Sequence, residues 1–532
     1  MVYIYFVLSI LSLFFIGYLP AYFLLPGKSG FRVGSRTISG GFFIFFISFY
    51  LGSLMAAWLF IVLSLMDIKY SGQLLISISS VFFIFYVYNF MSRKFRNREK
   101  KKINRLDRDI QTARESRRVR EIAGKDQEGH IPPGYHMPSF TENGRQPDDG
   151  TGAERIKFER DNRKTRILFV VLTVFVVANF LLIVFFTVLF PIKFWDAIAC
   201  WSLKGKAFFI DGIINNFFTE HSYTFSHFSY PLYLPLIQTW ILSWMGQSNE
   251  NILKLIFPLF YSSLIFTLYY LFRQRARKLL SVFLVFIVSV LPVIVDHGYI
   301  EYTNLLFSVV LLLAVYFFYI AWTMKGKTSF LILSALFFSI LAMTRSEGIL
   351  YVLLFIIINL FFFISESIRN KPDAKNIMNF LLPLIVFILF LGPWYLLKLK
   401  LGLPFLSTEW HGFINSSYGY INISGIREAA RAISSQMLLS IYDSTRAVFS
   451  SFYGPVWFML LIAMLFSLKT HFNKFSWIFF VFLSFGFISI FVSIASVSDF
   501  ASSTERYVLH LFPTAYYWIM SNSIGRSLDT VL

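Results

Sequence analysis

Residues 304–323, NLLFSVVLLLAVYFFYIAWT, carry no charge over a full twenty positions. At a 1.5 Å rise, about 20 residues cross the roughly 30 Å hydrocarbon core of a bilayer. Only a helix or a closed barrel satisfies its backbone polar groups there, and unbroken apolarity excludes the alternation of a barrel strand. Comparable apolar runs recur at 2–25, 41–66, 72–91, 167–190, 251–272, 279–296, 329–343, 349–366, 377–398, 453–469, 475–498 and 507–524. The fold class read from this pattern is an all-α polytopic membrane protein with about 13 transmembrane helices and interfacial helices in its outer loops. The 329–343 run is short and spans only if its ends are buried in protein. The 66 Phe and the 56% hydrophobic content exceed what a soluble domain has use for. Residues 2–25 lack a basic n-region and a small-residue cleavage site, so they read as a retained helix.

A net charge of +19 would suggest a nucleic-acid partner in a soluble chain. In a polytopic protein it first reflects Lys and Arg held in cytoplasmic loops, and no nucleic acid is expected. The single cysteine, Cys200, excludes an intramolecular disulfide and a multi-Cys metal site.

Residues 92–166 are of another kind, with 21 Lys/Arg against 13 Asp/Glu and a Pro/Gly-rich second half. They read as a basic, partly disordered cytoplasmic insert that leans on anionic lipid. The chain therefore divides into N-terminal transmembrane helices (1–91), this insert (92–166), and a transmembrane region (167–525) with outer loops 191–250 and 399–452. With the insert inside, 167–190 runs outward. YPLYLPLIQTWILSWMG (230–246) is short for a span and carries Pro231 and Pro235. Reading it as a juxtamembrane helix at the outer surface puts Arg273, Arg275, Arg277, Lys278, Lys325, Lys327, 369–375 and 469–474 on the cytoplasmic side.

The outer face then collects ionisable groups that orientation does not explain. Asp196 follows the 167–190 span, Glu301 precedes the 304–323 span, Arg345 and Glu347 share a turn, and Glu505 and Arg506 open the last span. Charges at that depth cost energy and mark candidate sites. Acids there accept a proton or hold a divalent cation, and arginines or lysines hold phosphate. A phosphate-bearing lipid brings its headgroup to the same depth.

Five short motifs carry a resemblance. Asp196-Ala197, Trp201, Lys204 and Lys206 follow the 167–190 span. HFSYPLYLPLIQTWI (227–241), GYIEYTN (298–304), TRSEG (344–348) and ERYVLHLFP (505–513) come after it in order. Together they resemble the GT-C class of membrane glycosyltransferases, in the bacterial branch related to protein O-mannosyltransferases and lipid A aminoarabinose transferases. The chain departs from that pattern at Ser229, where an acid is expected, at Glu301, where Asp is commoner, and at Arg345, which replaces Lys.

The resemblance implies a hexosyl- or pentosyltransferase that takes a sugar from a polyprenyl-phosphate carrier. It would pass the sugar, with inversion, to a glycan, lipid or protein outside a bacterial inner membrane. It makes Asp196 the catalytic carboxylate and Glu301 a second acid. Lys204, Lys206, Arg345 and Arg506 become phosphate or donor contacts; Trp201, His227, Tyr230 and Glu347 become sugar or acceptor contacts. In some members the acid also helps bind a divalent cation such as Mg or Mn, which Asp196 and Glu301 would share here. The loop 399–452 would shape the acceptor site. The alternative is a transporter, flippase or polymerase of lipid-linked saccharides. A transporter places ionisable groups at mid-membrane, whereas these spans are nearly free of charge.

Overall fold

The computed structural model describes residues 1–25, 41–89, 152–323, 327–369, 374–405, 453–466, 477–494 and 500–522, with a few shorter pieces. Most of the insert, most of the loop 399–452 and the basic stretch 469–474 lie outside the described residues.

The helices follow the apolar runs. They are α1 (Val2–Leu24), α2 (Gly41–Leu65), α3 (Gly72–Asn89), α4 (Gly152–Leu189), α5 (Leu203–Asp211), α6 (Asn215–Thr219), α7 (Tyr233–Met245) and α8 (Glu250–Leu253). The series continues with α9 (Ile256–Arg273), α10 (Lys278–Ser289), α11 (Pro292–Tyr299), α12 (Asn304–Thr323), α13 (Lys327–Thr344), α14 (Gly348–Arg369) and α15 (Ala374–Lys400). It closes with α16 (Val456–Phe466), α17 (Trp477–Ile494) and α18 (Phe500–Asn522). One antiparallel ladder of two-residue strands pairs Arg32–Val33 with Arg36–Thr37. Among the described residues, eight helices are long and apolar enough to cross a membrane, or nine if the bent pair α10–α11 is one span. Shorter apolar helices, Thr328–Thr344, Val456–Leu465 and Trp477–Ser489, cover three more of the about thirteen runs expected to span. The expected 279–296 span is bent by 70° where Pro292 starts a new helix, because proline lacks the amide that would continue α10.

The chain forms two compact units, residues 1–82 with 168–532, and residues 83–167. In the first, α12 is buried along almost its whole length, and α13 is enclosed against it and α15. That enclosure is the condition the short 329–343 run required. By contrast α4, α14 and α15 expose Val174, Leu181, Phe185, Ile357, Phe361 and Ile388. Apolar faces of that size belong against lipid. The protein is thus an integral membrane protein.

The segment expected to lie at the outer surface, α7, has 13 residues, about 20 Å of helix. It is too short to span, but it does not lie open. Tyr233, Trp240 and Leu242 are fully buried, and α7 packs against α1, α2 and α5. Trp240 Nε1 donates to Ser12 Oγ at 2.9 Å, and Tyr233 donates to the Tyr50 carbonyl at 3.2 Å.

Helices α1 and α2 cross at Gly17 and Gly52. A Cβ on Gly52 would stand 1.8 Å from the Leu13 carbonyl oxygen, and one on Gly17 would stand 1.8 Å from that of Ser48. Small residues let backbones meet this closely where lipid gives no hydrophobic drive. Gly52→Leu is expected to separate the pair and lower the thermal midpoint in detergent by about 1–3 °C, the effect of roughly 1–3 kcal/mol of overpacking in a chain of this size. An unchanged midpoint would show that the close crossing is dispensable.

Candidate functional site

Helix α4 ends at Leu189 and the chain turns back on itself. Asp196–Ser202 then form a π-helical turn that runs directly into α5. Such turns are rare and concentrate at functional sites. Asp196 opens it, its side chain 45% exposed, and Arg506 Nη1 donates to its Oδ2 at 3.2 Å. The Arg506 guanidinium lies 4.9 Å from the centre of the Tyr302 ring, and the Arg506 carbonyl accepts from Asn304 Nδ2 at 3.0 Å. The first turn of α12 is thereby tied to α18.

A second guanidinium stands beside the first. Arg345, in the turn between α13 and α14, grips both oxygens of Glu347 at 3.2 and 3.3 Å. It also donates to Tyr507 Oη at 3.2 Å, to Thr303 Oγ1 at 3.4 Å and to Asn304 Oδ1 at 3.5 Å. Asp196, Arg345, Glu347 and Arg506 come from three separate parts of the chain and meet at one end of the bundle.

Glu301 sits in the turn between α11 and α12, 4% exposed. Burial pushes its carboxyl up to about 7, against the pull of its own backbone amide and the Lys254 charge. Burial also raises the neighbouring Tyr302 hydroxyl to about 12, and Tyr302 feels both Asp196 and Glu301. A carboxyl raised in the folded state holds its proton there after the unfolded chain has lost it. Stability therefore falls as pH rises from about 4.5 to about 7. Glu301→Gln is expected to remove this slope, on the order of 3 kcal/mol. The check is the thermal midpoint against pH in detergent. A slope that survives the substitution assigns it to another group.

The lysines of the first loop part company. Lys206 pairs with Glu250 at the start of α8. Lys204 is fully buried and donates to the His227 carbonyl at 2.8 Å. His227 takes a left-handed backbone, φ 47°, unusual for a residue with a β-carbon. Its ring stacks on Tyr230 at 4.9 Å, and Tyr230 stacks on the buried Trp201 at 5.8 Å. Burial lowers the His227 imidazole, the Lys204 charge adds to this, and Asp196 opposes it.

Sequence reasoning passed over Lys398, near the end of α15. It is buried and donates to the Ser229 carbonyl at 2.9 Å and that of Phe405 at 3.1 Å. The signal was present: WYLLKLK puts two lysines at the expected outer end of a span, where orientation does not call for them. Tyr302 and Tyr507 were also missed, each one residue from a named candidate.

Among the described residues no three His, Cys, Asp or Glu side chains converge as a metal site, and Asp196 is engaged by Arg506.

Residues 229–395, somewhat under a third of the chain, match the sequence profile of the dolichyl-phosphate-mannose-protein mannosyltransferase family. The match fits a GT-C class glycosyltransferase related to the protein O-mannosyltransferases. No curated protein and no solved structure gives a significant match.

Proposed function

We propose, with that match as premise, that this membrane glycosyltransferase moves a sugar from a polyprenyl-phosphate carrier to a hydroxyl-bearing acceptor. The acceptor is a glycan, lipid or protein on the non-cytoplasmic side of a bacterial inner membrane. One observation carries the reading: a half-exposed carboxylate, Asp196, bonded to Arg506 beside the Arg345–Glu347–Tyr507 network. It sets a proton acceptor next to guanidinium groups at one end of an apolar bundle. In the proposed step the acceptor oxygen attacks the anomeric carbon while Asp196 takes the hydroxyl proton. The bond from that carbon to the phosphate oxygen breaks, the electron pair leaves on the phosphate, and the configuration inverts. A lipid phosphate is already a good leaving group, so the protein's main task is to orient the acceptor and hold the charge that departs.

The test uses native membranes with and without the protein, supplied with polyprenyl-phosphate sugars labelled in the sugar. The reading expects label to leave the carrier and appear, inverted at the anomeric centre, on an alkali- or acid-labile acceptor. If intact labelled lipid crosses the membrane and no sugar leaves it, the protein is a flippase and the proposal fails.

A further inference from the structure

The arginines of the site already have acids. Arg506 holds Asp196 and Arg345 holds Glu347, while Lys206 holds Glu250. Lys254 lies within electrostatic reach of Glu301. A departing phosphate therefore finds each of these cations partly neutralised. Two buried cations are different.

Lys204 is fully buried and Lys398 is 3% exposed. Their contacts are backbone carbonyls and rings. Lys204 reaches the His227 carbonyl and lies 5.8 Å from the Tyr230 ring. Lys398 reaches the carbonyls of Ser229 and Phe405 and lies 5.0 Å from Trp394 and 5.7 Å from Tyr395. Among the described residues, neither has a carboxylate in its ion pairs or hydrogen bonds. They also repel each other: burial lowers the Lys204 ammonium, Cys200 opposes this, and the Lys398 charge adds to the lowering, which brings the group to about 7. A buried charge without a counter-ion is costly, and a second one of the same sign adds to the cost. Two buried hydroxyls close by in sequence, Ser202 Oγ and Ser229 Oγ, have no hydrogen-bond partner among the described residues. Both ammonium groups bear on one stretch of three residues, 227–229, from two different helices.

We propose that Lys204 and Lys398 form a binding site for a phosphate group, with Ser202 and Ser229 as further donors. The carbonyls of His227 and Ser229 hold the ammonium groups until the phosphate arrives, and the 227–229 stretch withdraws to admit it. The left-handed backbone at His227 favours that movement, because the withdrawn stretch can return to an ordinary conformation. Lys204 lies eight residues after Asp196 on continuous helix, about 12 Å along its axis. Long lysine side chains bridge part of that distance to a substrate bound at Asp196. The inference deepens the lipid-phosphate reading and rests on it for the natural ligand. The chemistry is shared by a lipid phosphate and free phosphate.

The experiment measures binding to the full chain in detergent of labelled farnesyl phosphate, with farnesol and inorganic phosphate as competitors. Wild type is expected to prefer farnesyl phosphate to farnesol by at least ~10-fold, the size of one charge-assisted contact. Lys204→Met and Lys398→Met are each expected to weaken farnesyl phosphate by ~10-fold or more and to leave farnesol unchanged. Lys398→Arg should keep the affinity. Lys398→Gln retains a donor for the Ser229 carbonyl without the charge, and should lose phosphate affinity while folding normally. Given that loss, competition by inorganic phosphate admits free phosphate as an occupant, and its absence restricts the site to lipid phosphate. If Lys398→Gln binds farnesyl phosphate as wild type does, the lysines only strap the backbone and the proposal is overturned. No preference of wild type for farnesyl phosphate over farnesol overturns it too. Sugar transfer from a labelled carrier can still occur in either case, so the two readings fail separately.

Discussion

Asp196→Asn is expected to reduce sugar transfer by about 10³-fold, with the affinity for the donor lipid nearly unchanged. An amide keeps the size of the carboxylate and one oxygen for Arg506, but it cannot accept the hydroxyl proton. Removing a general base costs roughly 10²–10⁴ in rate. Asp196 is 45% exposed and its pair with Arg506 is half in solvent, so the protein's thermal midpoint should hardly move. Rate and stability thus separate, which is the signature of a group that acts in the reaction. The measurement is transfer per mole of folded protein, with matched expression and a melting curve for each sample. Transfer within threefold of wild type would move the base elsewhere. Glu301 is then the next carboxylate to substitute, since burial lifts it to about 7, close to a working pH.

The second large effect concerns Arg345. Its side chain is 14% exposed and that of its partner Glu347 is 8% exposed. Arg345→Met leaves the Glu347 carboxylate buried and alone, and breaking such a pair costs about 3–5 kcal/mol. The variant should express poorly or melt far below wild type. The double variant Arg345→Met with Glu347→Gln removes both charges and should recover most of the stability. It should not recover transfer, because the guanidinium facing Asn304, Thr303 and Tyr507 is gone. Arg345→Lys should fall between, with the charge kept and the two-pronged grip on Glu347 lost. If the double variant regains stability and activity together, the pair serves the fold alone and Arg345 holds no phosphate.

Hydropathy located the helices because lipid tolerates little else. Most of the long described helices coincide with the apolar runs to within a few residues, whereas α4 starts fifteen residues before its run and α18 seven before. What hydropathy could not see was depth. The 279–296 run is apolar throughout, yet Pro292 breaks it, and apolarity says nothing about direction. Nor could it tell a helix lying on a surface from one wedged inside the bundle, as α7 is. The candidate site was legible where a charge interrupts an apolar background at a turn, which singled out Asp196, Glu301, Arg345 and Arg506 as candidates. It was less legible where two like residues sit close in sequence. Lys204 and Lys206 looked equivalent, but residues two apart on a helix point about 200° away from each other. One turns in under the 227–229 stretch and the other out to Glu250. Lys398 escaped notice because a lysine closing an apolar run usually snorkels to the headgroups. Only tertiary packing over it reveals a buried cation.

The tight α1–α2 crossing has a consequence for synthesis. The partners that lock these helices in place are made late. Trp58 donates to the Leu389 carbonyl, 331 residues further on, and Trp240 reaches back 228 residues to Ser12. At about 5–20 residues per second, the hairpin that leaves the ribosome first waits roughly 20–70 s for its last contact. Through that interval the Gly17–Gly52 contact has to keep two helices together in lipid without the bundle that later encloses them. A weakened crossing would then show first as chains degraded during biogenesis, before any effect on the activity of the mature protein.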